Sequence, residues 1–280
     1  MEFTKYVDLA VESYTRDEKN EKSNGIITTI ENFCGTEIIK TKIINHLGEE
    51  KTGKEIGTYL TLPVGEVYKY NDEEKTRIKN SVGTAITYLI NEIAPKSKSF
   101  LVVGLGNKTL CADSLGCLVT DELVPTRHLK KTNPSLLKKL GYDLIALTPG
   151  VLGQSGIDAC EHIKSLLENF EVDLIIIIDS FMTLSKDRLL KTIQVSNTGV
   201  LPGSARDATS QKINKKALGK SVISIGVPTA ISLRTSDDNS MLTKTDVEYH
   251  VKALSKTIAD GILIAIKRCF SNNDILSDIE

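Results

Sequence analysis

Two short apolar runs, each leading to an aspartate, constrain this chain more than any other feature. The first, Phe100 to Val103, is followed by Gly104 and Gly106 and then, across a loop, by Asp113. The second, Leu174 to Ile178, is a leucine and an unbroken run of isoleucines that ends on Asp179. Both are far shorter than the roughly 20 residues needed to span a bilayer. Their β-branching suits central strands covered on both faces, as in parallel sheets. The glycines let the chain turn tightly after the first strand, and the apolar-periodic segment beyond Asp113 reads as a helix. Each aspartate then stands at the carboxyl end of a buried strand, where open α/β sheets bind ligands.

The rest of the chain can be organised around that pair. From Ser97 onward strands alternate with helices: strands over 143–148, 192–196 and 221–226, and helices over 157–169 and from Thr243 to about Cys269. The alternation predicts an α/β fold with a mainly parallel, twisted sheet flanked by helices and joined by right-handed crossovers. Ahead of it, two β-rich runs around Cys34-Gly35 give a hairpin signal. Gly57 to Pro63 reads as a third strand. A helix over 72–93 is capped by Asn71 or Asp72 and stopped by Pro95. The expected division is a mobile, polar amino-terminal region (1–24), a hairpin-containing extension with its helix packed on the core (25–96), and the α/β core itself (97–280), together one compact domain.

Composition narrows the function classes. The net charge of −1 gives no global attraction to nucleic acid or to an anionic membrane. The absence of tryptophan disfavours base-stacking platforms. Five scattered cysteines without a Cys-x-x-Cys lack zinc-site spacing and read as reduced thiols in a cytosol-like compartment. The amino terminus lacks the basic-then-apolar order of a signal peptide. A dinucleotide site fails because the third glycine of the fingerprint would be Thr109, and no ribose-binding acid follows at the right distance.

An aspartate after a strand is usually a helix cap or a turn former. Two at equivalent strand ends, each followed by serine, point instead to one shared site. Paired carboxylates suit hydrolysis: an ionised one activates water while a protonated one donates to the leaving nitrogen. They equally suit a divalent metal, with His128 as the histidine nearest the first loop. His46, His162 and His250 read as surface or hairpin positions. Asn107, Arg127, His128, Thr198, Ser204 and Thr229 are the candidate substrate-binding residues. The chain has no nucleophile-elbow motif for a serine triad.

A collinear set of motifs carries a family resemblance. Gly104 to Asn107, Asp113 with Leu115-Gly116, Val124 to Leu129, Pro149 to Gln154, Ile178-Asp179, Thr192 to Gln194, Asn197 to Gly199, Pro202 to Ser204 and Ile225 to Thr229 resemble, in order and spacing, the germination protease of spore-forming bacteria. Asp8 to Glu12 and Tyr59 to Leu62 extend the match towards the amino terminus. The resemblance implies an endopeptidase that initiates degradation of small acid-soluble spore proteins in the spore core. It also implies a homotetramer made as a self-processed zymogen, and a fold similar to the hydrogenase maturation endopeptidases and, more broadly, phosphorylase-like. The family's essential aspartates map onto Asp113 and Asp179. Its self-cleavage site resembles Asp8-Leu9, so a mature chain would begin at Leu9. No cofactor is expected; the alternative is a divalent metal on Asp113, Asp179 and His128, as in a metal-dependent maturation-type peptidase. A spore regulatory or binding paralogue with impaired catalysis is the other alternative, because the chain departs from the family pattern at Ser180 to Met182, at Leu184 and over Ala205 to Ala208. Direct nucleic-acid binding and membrane association are not expected.

Overall fold

The computed structural model describes residues 8–13, 25–203, 211–232 and 241–277, with side chains through residue 269. The β-rich runs of the amino-terminal half form β1 (Ile26–Phe33), β2 (Thr36–Ile43) and β3 (Gly57–Pro63). The β1–β2 connection is a two-residue turn in which Cys34 (φ 52°) and Gly35 (φ 80°) are both left-handed. Such turns match the twist of the strands they join, so the hairpin register is fixed locally. The core strands are β4 (Ser99–Gly104), β5 (Asp143–Leu147), β6 (Leu174–Thr183), β7 (Thr192–Ser196), β8 (Ser221–Ser232) and the short β9 (Met241–Leu242).

All of them join one sheet in the order β1-β2-β3-β7-β8-β6-β4-β5, with β9 on β8. The fold is α/β, as the alternation predicts, and β5, β4, β6 and β8 run parallel. The sheet as a whole is mixed. Strand β7 is antiparallel to β8 on one side and to β3 on the other. Through it the hairpin extension continues the core sheet rather than standing beside it.

Period-2 alternation divides each central strand between two layers. Leu174, Ile176 and Ile178 pack into the cluster beneath the helices Asp72–Ile93 and Val247–Ser277. Ile175, Ile177 and Phe181 face the other way, among Leu101, Val103, Cys160 and Ile163 of the helix Ala159–Asn169. The helix Asp72–Ile93 begins with a reciprocal capping box between Asn71 and Glu74.

Two strands run further than the sequence suggests. Strand β6 does not stop at Asp179 but continues to Thr183, and β8 passes Gly226 to reach Ser232. Each extends the other, with pairing from Leu174↔Ser221 to Thr183↔Ile231. Pro228 hides this in the sequence, since proline lacks a ladder donor; it is accommodated at a register shift between Phe181 and Met182. Among the described residues no helix is long and apolar enough to cross a membrane.

The two long helices touch at glycine. A Cβ on Gly83 would lie 2.8 Å from Ile264, and one on Gly261 would lie 2.6 Å from Val82. Gly261→Val should therefore overpack the crossing and cost about 1–3 kcal/mol. Chemical denaturation should show a lower midpoint with an unchanged slope; an unaltered midpoint would mean that the helices can separate freely.

Candidate active site

Strand β4 ends at Gly104 opposite Ile178, and Leu105 N–H adds one last bond to the Ile178 carbonyl at 2.9 Å. The chain then turns through Gly106 at φ 112°, where a Cβ would come within 2.0 Å of the Asp113 carbonyl. Only glycine lets the loop return so closely. Asn107 N–H consequently donates both to the Asp113 carbonyl and to its carboxylate Oδ2, each at 3.0 Å. The glycines of this loop thus serve the placement of Asp113, not a pyrophosphate.

Asp179 lies one residue beyond Ile178 on the adjacent strand, on the face shared by Ile175, Ile177 and Phe181. It is buried, and its carboxylate accepts the Ser180 N–H at 2.8 Å. Burial pushes its pKa well above the ordinary carboxylate range; the negative charges of Asp8 and Asp113 add to the rise. The acid pair is thus brought together at the carboxyl ends of adjacent parallel strands. A cavity of about 700 Å³ opens over it, lined by Asp113, Asp179, Leu105, Phe181, Met182 and Thr229 among others.

Asp8 is the third acid of the site. Its carboxylate accepts the Met182 N–H at 2.7 Å. Leu9 and Ala10 behind it are fully buried, Leu9 in the cluster that contains Leu105 and Phe181, and Ala10 against Ile43 and Tyr59. The amino-terminal segment is therefore docked over residues 8–13 rather than loose; the remainder of the expected mobile region lies outside the described residues. Lys54, also close to Asp8 and Glu12, has its pKa lowered by burial, with the two acids pulling the other way.

The remaining sequence candidates divide by which end of the sheet they occupy. Asn107 and Thr229 belong to the site. The Asn107 side-chain oxygen accepts from Thr109 and from Gln154 Nε2 at 3.0 Å, which ties two loops together. Thr229 lines the cavity, and its carbonyl accepts the Thr243 hydroxyl at 2.6 Å. Arg127 does not belong to it: its guanidinium binds Asp143, the first residue of β5, and the Glu171 carbonyl, at the amino end of the parallel strands. His128, next to it, is exposed at that same far end. Thr198 is also remote, because β7 is antiparallel and the loop after it emerges away from the acids; its hydroxyl pairs with Ser196 at 3.0 Å. Ser204 lies outside the described residues. His250 is buried against the Tyr68 ring rather than on the surface.

Sequence reasoning missed Gln194. It stands in one cross-strand row with Asp179, through Gly226 of β8, and it binds the docked segment. The sequence carried no signal for it, because Gln194 alternates in phase with Thr192 and Ser196 and so reads as part of a polar face. Arg188 reaches the same segment through Glu12.

With the acid pair in place, comparison with known proteins decides the family. The germination protease family matches residues 5–261. The germination protease of Clostridium perfringens (strain ATCC 13124) is 35% identical over 239 residues, covering 84% of this chain and 72% of its own. That of Bacillus mycoides (strain KBAB4) is 31% identical over 269 residues, covering 93% and 71%. The chain belongs to the germination protease family. Membership makes it a peptidase, a hydrolase of the spore-germination class, and the resemblance read from its motifs holds over nearly its whole length. A crystal structure of a [NiFe] hydrogenase maturation protease HycI from Thermococcus kodakarensis KOD1 covers 62% of this chain and 98% of its own, at 16% identity and a TM-score of 0.37. The α/β fold of this family member is established by its strand order and flanking helices, not by that likeness.

The raised pKa of Asp179 has a consequence for stability. A carboxyl whose folded pKa lies above its unfolded value stabilises the fold while protonated, and that stability is lost as pH rises through the folded pKa. Asp179→Asn keeps the shape and removes the buried charge. The variant should melt about 2–4 °C above the parent at neutral pH, and the gap should close near pH 4, where the unfolded aspartate also becomes protonated. An equal gap at both pH values would assign the effect to packing.

Proposed function

We propose that this chain is an endopeptidase that hydrolyses peptide bonds on the carboxyl side of an acidic residue, with Asp113 and Asp179 as its acid pair. The observation that carries the reading is the burial of Asp179 beside Asp113 at the mouth of one cavity, with Asp8 docked against them. Asp179, biased towards its protonated form, supplies a proton to the leaving nitrogen. Asp113, held by the Asn107 N–H, takes one from the attacking water. The water oxygen bonds to the peptide carbon as the carbon–nitrogen bond breaks, and the two protons leave the pair with its original count.

The first bond cut is Asp8–Leu9 of the chain itself. The Asp8 carbonyl accepts from Gln194 Nε2 at 3.3 Å, and the Leu9 side chain fills an apolar pocket, so the bond is positioned on both sides. Family membership extends the reading to small acid-soluble spore proteins as substrates, to a zymogen that matures by this cut, to a homotetramer, and to action inside the spore core. No metal enters the scheme. Among the described residues no three His, Cys, Asp or Glu side chains form a metal-binding group, and His128 lies at the wrong end of the sheet to join the acids. The proposed scheme therefore draws on the acid pair, without His128 as a partner.

Mass spectrometry of the native protein held at mildly acidic pH should show loss of residues 1–8. The rate should fall as pH rises through the raised pKa of Asp179. Asp113→Asn and Asp179→Asn should each fold and lose at least about a hundredfold in rate, the lower range expected for removing a general acid or base. Wild-type turnover in either variant would make that residue structural. Cleavage abolished by a chelator and restored by a divalent ion would replace the acid-pair scheme with a metal-dependent one.

A further inference from the structure

Segment 8–13 is held at nearly every residue by groups of the kind that would hold a substrate. Its backbone is gripped by one side chain. Gln194 Oε1 accepts the Ala10 N–H at 2.7 Å, while Gln194 Nε2 donates to the Asp8 carbonyl. These two bonds bracket Leu9 and read no side chain. The Asp8 amide is further aligned by the Met182 carbonyl at 3.4 Å.

Further along, a second grip reads a side chain. The Glu12 carboxylate is 7% exposed and meets three donors. Thr183 Oγ1 donates to it at 2.5 Å, Leu184 N–H at 3.0 Å and Arg188 Nη1 at 3.3 Å. Burying a carboxylate is costly unless it is paired and hydrogen-bonded, so a pocket with a hydroxyl, an amide and a guanidinium selects for charge and shape together. Thr183 ends β6, the strand that carries Asp179; Leu184 follows it directly, and Arg188 lies in the turn beyond. The pocket is thus fixed rigidly to the acid pair.

We infer that Thr183, the Leu184 amide and Arg188 form a carboxylate-recognising subsite for the fourth residue beyond the cleaved bond, and that Gln194 is the positioning residue that lays the substrate backbone across the acids. The inference rests on the reading that Asp8–Leu9 is a bond this site cuts. It makes the chain's own Glu12 a competitor for the pocket that an acidic peptide substrate must enter.

That competition gives the test opposite signs. The probes are a synthetic peptide with the sequence of residues 3–17 and the same peptide carrying E12Q, assayed with full-length protein. Wild type should cleave the glutamate peptide about tenfold or more faster than the glutamine peptide, the discrimination a charge-assisted contact provides. The Arg188→Met protein should lose that discrimination, the ratio of the two rates falling towards one. The Glu12→Gln protein should keep the discrimination and cleave the glutamate peptide faster, because its own segment competes less well. Discrimination retained in Arg188→Met, or an equal loss on both peptides, would overturn the subsite. Hydrogen exchange at residues 8–13 serves as a readout independent of chemistry. Arg188→Met and Glu12→Gln should each accelerate it, and the double variant should add nothing to the larger single effect; additive or absent effects also overturn the assignment. If wild type cuts neither peptide while exchange behaves as expected, the carboxylate pocket stands and the cleavage site of the proposed function falls. Thr183→Ala repeats the test with the guanidinium left in place.

Discussion

The site depends on a mismatch in length between adjacent parallel strands. Strand β4 stops at Gly104, whereas β6 runs on past Ile178 to Thr183 with β8 as its strand partner among the described residues. A continuous ladder would have left the carboxyl ends level and the surface shallow. The stagger instead leaves a step in the sheet, and the loop through Gly106 folds back over it. Asp113 is delivered from the lower side of the step and Asp179 from the wall. Because the wall is apolar on this face, Asp179 is desolvated by the packing that holds the sheet together. Its altered acidity is therefore first a property of the fold's core, to which the charges of Asp8 and Asp113 add.

Much of this was legible in the chain. The runs Phe100 to Val103 and Leu174 to Ile178 could hardly be anything but buried strands, and an acid after each pointed to a common site. The hairpin was equally plain, because Cys34-Gly35 interrupts two β-rich runs with residues that both adopt positive φ. The failures share a cause. Sequence order shows that a residue follows a strand, but not which end of the sheet that strand points to. Thr198 follows β7 and was grouped with the acids, yet β7 runs opposite to its neighbour β8 and carries Thr198 away. Arg127 and His128 lie close in sequence to the helix after Asp113, but that helix returns the chain to the amino end of the sheet, where Arg127 closes an ion pair with Asp143.

Other parts were hidden by local rules that tertiary pairing overrides. Pro228 argues against a central strand, and β8 admits it only at the point where its register with β6 shifts. Gln194 has no catalytic appearance. It becomes meaningful only once Gly226, between it and Asp179 in the sheet, leaves room on that face; the space a side chain would occupy there is filled by the Phe181 ring. Phe181 itself packs in the cluster that receives Leu9, so it bears on the shape of the apolar pocket rather than on the acids.

The pairing of β3 with β7 has a consequence for how the molecule assembles. It joins Tyr59 to Ser196 and Pro63 to Thr192, partners separated by most of the core sequence. The β1–β2–β3 meander can form early from contacts near in the chain, but β3 then offers an open edge until β7 has been synthesised. Closure of the sheet waits on a long loop, which slows folding in proteins dominated by distant contacts. On a ribosome the waiting edge would be exposed while β4, β5 and β6 emerge, and unpaired edges of this kind invite pairing with another chain. Newly made chains in one crowded compartment are thus most vulnerable to one another before β7 arrives.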